Sequence, residues 1–74
     1  MLSQEVAERV DSLSAREIEV LRYFLSGMTV SDIAGILNRS VKTISTHKIS
    51  AMRKLGVETD HALVMFGLCH DLLG

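Results

Sequence analysis

The sequence predicts an all-α fold, a four-helix (tetrahelical) bundle built around a helix-turn-helix, with room for a short extra helix at the N-terminus. Three observations carry this. Helix starts and stops recur along the chain, with Ser14 and Ser40 as N-caps and Gly27 and Gly56 as stops. The apolar residues between these signals follow helical spacing. Between Ser31 and Leu55 a short helix, a three-residue turn and a capped, unusually basic helix follow one another.

Val6, Val10 and Leu13 recur at i, i+4 and i+7, which allows a short helix from about Gln4 to Val10 inside a leader or linker of residues 1–12. The domain proper is read as residues 13–74. Ser14 and Glu17 form a capping box, with Leu13 placed to staple onto Ile18. The helix they start runs from about Ala15 to Ser26 and buries Ile18, Val20, Leu21, Phe24 and Leu25. The short helix, about Ser31 to Leu37, is capped by Ser31 or Thr29 and packs Ile33, Ala34, Ile36 and Leu37 inward. Gly35 in its interior costs about 1 kcal/mol relative to Ala. A close approach of another backbone or of DNA would explain it, and so would drift.

Asn38 and Arg39 suit a turn, and Ser40 caps the helix from Val41 to Leu55. At about 100° per residue, Ile44, Ala51 and Leu55 share a narrow arc with Val41 and Met52 beside it, forming the buried face. Lys42, Thr46, Ile49 and Arg53 lie opposite, flanked by Thr43, Ser45, Ser50 and Lys54. Cations and small hydroxyls are what phosphates and base edges require, although a plain solvated face has the same composition. The preceding short helix favours the nucleic-acid reading.

The last helix, about Asp60 to Leu73 behind Thr59, is apolar over well more than half its circumference: Ala62, Leu63, Val64, Met65, Phe66, Leu68, Cys69, Leu72 and Leu73. One face can pack on the domain, and the remainder exceeds what a small monomer exposes. A homodimer contact is one explanation and a fully buried central helix the other. Gly67 would admit a second helix closely.

Seventy-four residues make one domain near the lower size limit for folding alone. With two Phe, one Tyr and no Trp, the core is aliphatic. A net charge of −1 argues against nucleic acid taken alone, but the charge is polarised along the chain. Residues 1–38 carry three Arg against six acids, residues 39–54 five Lys and Arg with no acid, and residues 55–74 three acids with no Lys or Arg. One helix is therefore fitted to meet an anion and the rest is not. The lone cysteine excludes an internal disulfide and fits a reducing compartment. No signal-peptide pattern follows Met1, and no apolar stretch is long enough to span a bilayer, so the expected location is the cytoplasm.

Leu13-Ser14, Arg16-Glu17, Glu19-Val20-Leu21, Gly27, Ile33-Ala34, Leu37, Lys42-Thr43-Ile44, His47 and Arg53-Lys54-Leu55-Gly56-Val57 together resemble the C-terminal DNA-binding domain of LuxR/FixJ/NarL-type transcription regulators, over roughly residues 13–73. Asn38-Arg39-Ser40, Lys42 to Ser45, Lys48 and Ser50 to Met52 look closest to the Rcs-type response regulators. The resemblance implies a helix-turn-helix over residues 31–50, a recognition helix over 41–55 that enters the major groove of double-stranded DNA, and a helix over 60–73 that pairs in a homodimer. It implies phosphate contacts from Lys42, Thr43, Arg53 and Lys54, and base contacts from Ser45, Thr46 and Ile49, with Ser50 beside them. Val64, Leu68 and Leu72 are the expected dimer residues. It leaves open whether the stripe of Phe66 or that of Val64 and Leu68 faces the partner. Family members often have a basic or amide residue at positions 45 and 49. Here Ser45 offers a hydroxyl and Ile49 an apolar contact suited to a thymine methyl. Lys48 stands where the family is commonly apolar, and is expected to lay its stem along the core and its ammonium at a phosphate.

Many family members carry an upstream receiver or ligand-sensing domain, so the chain reads as an excised domain or a small stand-alone regulator. Bound at a promoter, it could touch RNA polymerase. A sigma-subunit-like promoter-binding module and a helix-turn-helix-shaped protein-interaction module share the outline. No cofactor, small-molecule site or membrane contact is expected. His47, His61, His70 and Cys69 lack metal-ligand spacing, and no nucleophile elbow or phosphate loop is present, so neither a metal site nor an enzyme is expected. His47 is expected to hydrogen-bond near the turn, and Cys69 to be a small buried or interface group. Glu5, Glu8, Glu17 and Glu19 read as solvated surface.

Overall fold

The structure, a computed structural model, describes residues 4–70. Five helices follow in order: α1 (Gln4–Asp11), α2 (Ala15–Leu25), α3 (Val30–Leu37), α4 (Val41–Leu55) and α5 (Asp60–His70). The last three residues of the helix expected over 60–73 lie outside the described residues.

The boundaries follow from local chemistry. Ser14 accepts from the Glu17 amide while the Glu17 carboxylate accepts from the Ser14 amide, closing the capping box of α2. The cap of α3 is Thr29, not Ser31, and Asp32 completes a second box there. Asn38 ends α3 in the left-handed conformation, and the Arg39 amide donates back to the Ala34 carbonyl. Ser40 caps α4 through the Thr43 amide. Gly56 ends α4 at φ 76°, a conformation that strains any residue bearing a Cβ. Thr59 caps α5 through the Ala62 amide.

α4 packs against α1, α2 and α3 and joins two apolar clusters. Ile44 meets Val20, Ile33 and Ala34, while Ala51, Met52 and Leu55 meet Leu13, Leu21 and Leu63. The short helix allowed over Gln4 to Val10, within the stretch read as leader or linker, forms as α1. Its Val10 packs on the second cluster, and its Arg9 donates to the Leu55 carbonyl at 3.3 Å, at the negative end of α4. Phe66 packs inward with Leu63. Gly67 is buried because a Cβ there would lie 2.8 Å from Leu25 Cδ1, so the close approach it permits is to α2 of the same chain. Ile36, expected inside, is half exposed, and no atom lies within 4 Å of where Gly35 would carry a Cβ, so no protein packing requires that glycine.

Glu17 departs from the expectation of a solvated surface. It is 4% exposed, the one buried charged residue among the described residues. Burial pushes its carboxyl pKa up, but the Lys54 ammonium at 2.7 Å, the Ser14 amide, and the Ser50 and Ser14 hydroxyls together hold it at about 2. A depressed carboxylate stabilises the fold fully above its ordinary value of 4.5, and that contribution is lost as pH falls toward 2. At about 1.4 kcal/mol per pKa unit, it is on the order of 3 kcal/mol. Urea unfolding followed from pH 5 to pH 2 is expected to show this loss in the parent and little of it in Glu17→Gln (about one ionisation removed). Parallel pH profiles for the two proteins would refute the assignment.

Candidate nucleic-acid interface

Lys42, Thr46, Ile49 and Arg53 are exposed along one side of α4, as helical spacing requires. Among the described residues Lys42 and Arg53 carry no ion pair. Arg39, exposed in the turn before Ser40, is free in the same sense. It was not among the expected site residues, although its place in the acid-free basic run was the signal that could have found it.

The hydroxyls differ in what they can offer. Thr43 Oγ1 accepts from Ser40 Oγ at 2.9 Å, which leaves its own proton to donate outward. Thr46 Oγ1 donates to the Lys42 carbonyl at 2.9 Å, so toward a ligand it presents lone pairs and a methyl group. Ser45 is half-buried beside this arc. Ile49 is 49% exposed and puts an aliphatic group among polar neighbours. It lines a shallow cleft with Met52, Arg53, Val57 and Glu58.

Three expected contact residues turn the other way. Lys54 pairs with Glu17, and the Ser50 hydroxyl stands beside the same carboxylate and helps to lower its pKa. Lys48 lays its stem along the core as expected, but its ammonium is not at the outer face. It pairs with Asp60 Oδ1 at 2.8 Å and lies 4.4 Å from the centre of the Phe24 ring, with the side chain only 13% exposed. The cause in each case is a carboxylate brought alongside α4 by another helix.

On α5, Leu63 and Gly67 are buried and Phe66 half-buried, whereas Val64, Met65 and Leu68 are exposed. The stripe of Val64 and Leu68 is thus the unpartnered one. Leu72 lies outside the described residues. Cys69 is exposed rather than buried, and no hydrogen bond of the His47 side chain occurs among the described residues. Nor, among them, do three His, Cys, Asp or Glu gather as metal ligands, and no helix is long and apolar enough to cross a membrane.

With this geometry in place, residues 11–66 match the family described as bacterial regulatory proteins, luxR family. The chain is 59% identical over 54 residues to the transcriptional regulatory protein RcsB of Escherichia coli K12, an overlap of 73% of this chain and 25% of the relative. It also resembles a structure of two RcsB dimers bound to two parallel DNAs (TM-score 0.72, 59% identity, 73% of this chain and 27% of that one). A structure of the RcsB–DNA complex is similar over 89% of this chain and 35% of that chain, with a TM-score of 0.74 and 50% identity. The chain spans about a quarter of the length of the curated RcsB relatives it matches. On the extent of the family match and the agreement in fold, this chain belongs to the LuxR family of bacterial regulatory proteins.

Proposed function

We propose that the chain is the DNA-binding output domain of a bacterial cytoplasmic transcription regulator. It reads double-stranded DNA as a homodimer, with α4 in the major groove. The observation that carries this is the division of charge around α4. Lys48 and Lys54 are paired within the domain, while Arg39, Lys42 and Arg53 carry no ion pair among the described residues and are exposed around Thr46 and Ile49. Free cations at the edges of an arc suit phosphates, and short or apolar side chains between them suit base edges. RcsB, the relative, has been seen bound to DNA and as dimers on DNA. The residues assigned here to phosphate are Lys42, Thr43 and Arg53, with Arg39 added. Those assigned to bases are Ser45, Thr46 and Ile49. A domain placed in this way at a promoter is positioned to touch RNA polymerase, and it does no chemistry of its own.

The dimer contact is assigned to the Val64 and Leu68 stripe of α5, with Leu72, outside the described residues, assigned to the same contact. Two α4 helices would then stand about one DNA turn apart, roughly 34–36 Å, and a repeat of half-sites is the expected target. The direct test is enrichment of a random double-stranded library on the chain at two salt concentrations. A repeat with half-sites near one turn apart is expected. Salt-sensitive retention without enrichment would leave phosphate binding only, and no retention at low salt would favour the protein-interaction reading.

Salt dependence separates the free cations from the bound ones. Each neutralised phosphate contributes a slope of about −0.9 in log K against log salt, so Lys42→Gln and Arg53→Gln are each expected to flatten the slope by about 0.9 per protomer. Lys54→Gln, whose ammonium belongs to Glu17, is expected to leave it unchanged while lowering stability. A flattened slope in Lys54→Gln would show that this ammonium leaves Glu17 for phosphate. For the dimer, Val64→Asp and Leu68→Asp are expected to weaken self-association by tenfold or more (roughly 1.4 kcal/mol per tenfold) with helical circular dichroism retained. Sedimentation that finds the parent monomeric at high concentration removes the dimer contact.

A further inference from the structure

We propose that Lys48 is a positioning residue that fixes α5 against α4 and thereby sets the half-site spacing a dimer accepts; this rests on the dimeric DNA-reading function above. Lys48 stands on the inner edge of α4, one turn from both Ile44 and Met52, which are buried. Its ammonium reaches Asp60, the first residue of α5, and sits over Phe24 of α2. One side chain thus joins the recognition helix, its main support and the start of the helix assigned to the dimer. Among the described residues this is the one ion pair that α5 makes.

Among the described residues the rest of the attachment of α5 is apolar. Leu63 enters the core and Gly67 lies against Leu25, while Val64 and Leu68 stay exposed. Apolar contact sets which face of α5 is buried, but being non-directional it constrains the tilt of the helix less. A charge pair at the first residue, with the cation held over a ring and largely out of water, supplies the missing direction. In a dimer joined through α5, any tilt of α5 relative to α4 displaces the second α4, and both protomers contribute. The device therefore acts on the distance between half-sites and not on the reading of either one. Lys48 needs no phosphate contact for this.

The test uses DNA with two half-sites at the enriched spacing, the same DNA with that spacing lengthened by about two base pairs, and a single half-site. Asp60→Asn removes the charge of a side chain that is 62% exposed and so spares the core, whereas Lys48→Met removes the cation and keeps the apolar stem. Asp60→Glu restores the charge. We expect the preference for the enriched spacing to fall about tenfold in Asp60→Asn and Lys48→Met, single half-site affinity to stay within about twofold, and Asp60→Glu to recover the preference. Variants that keep the full spacing preference overturn the proposal. So does a parallel loss of half-site affinity, which would mark a merely structural pair. A parent without spacing preference overturns the dimeric reading together with this one, whereas a parent with it and variants unchanged overturns this one alone.

Discussion

The carboxylate of Glu17 is taken out of water at the N-terminus of α2, and an unpartnered charge there would be untenable. Its local partner is the Ser14 amide, while the Ser14 hydroxyl accepts from the Glu17 amide and closes the capping box. The other two, Lys54 and Ser50, come from α4 and lie four residues apart, hence on the same side of that helix. The same group that starts α2 therefore fixes the rotation of α4 about its axis. With Ser50 and Lys54 turned toward α2, Lys42, Thr46, Ile49 and Arg53 have to face outward. Rotating α4 to bring Lys54 to the outer face would leave Glu17 buried without its cation.

The apolar contacts agree with that orientation. α4 gives Ile44 to one cluster and Ala51, Met52 and Leu55 to the other, so no core forms without it. Ala51 is fully buried, and its size lets the helices meet closely. At both ends α4 is finished by polar groups from neighbouring residues: Ser40 at the first turn and, at the last, Gly56 with Arg9 of α1 on the Leu55 carbonyl. A helix held in this way can present short side chains, since precision comes from its supports and not from the length of its reach.

Helix boundaries were legible in the sequence because caps are local. Ser14 with Glu17, Ser40 and Gly56 each act within one turn of the chain. The outer arc of α4 was legible too, because helical angle follows from spacing. What spacing does not give is the reach of a long side chain. Lys48 and Lys54 sit at the edges of the arc, where a flexible stem can go either way, and the deciding carboxylates belong to other helices. Glu17 is 37 residues from Lys54, and Asp60 becomes a neighbour of Lys48 only once α5 has docked. Glu17 and Glu19 look alike as a charged pair, yet two positions on a helix differ by about 200°, which puts one in the core and the other beside Arg16. Gly67 signalled a close approach correctly, but a glycine says nothing about whether the approaching group is in the same chain.

The net charge of −1 and the proposed function become compatible once the charges are assigned. Of the five Lys and Arg residues between 39 and 54, two neutralise carboxylates within the domain, leaving Arg39, Lys42 and Arg53 outside. At about −0.9 per phosphate, three contacts give a protomer a salt slope near −2.7, a small electrostatic share of affinity. One such surface would hold DNA weakly and release it as salt rises. Two surfaces on one dimer add their contacts, and the second engages at the high effective concentration set by the first. That gain exists only if the two α4 helices are held at the separation of the half-sites. On the proposed dimeric reading, with so few phosphate contacts per copy, the rigidity of the path from α4 through Lys48 and Asp60 into α5 would bear on binding alongside the cations assigned to phosphate.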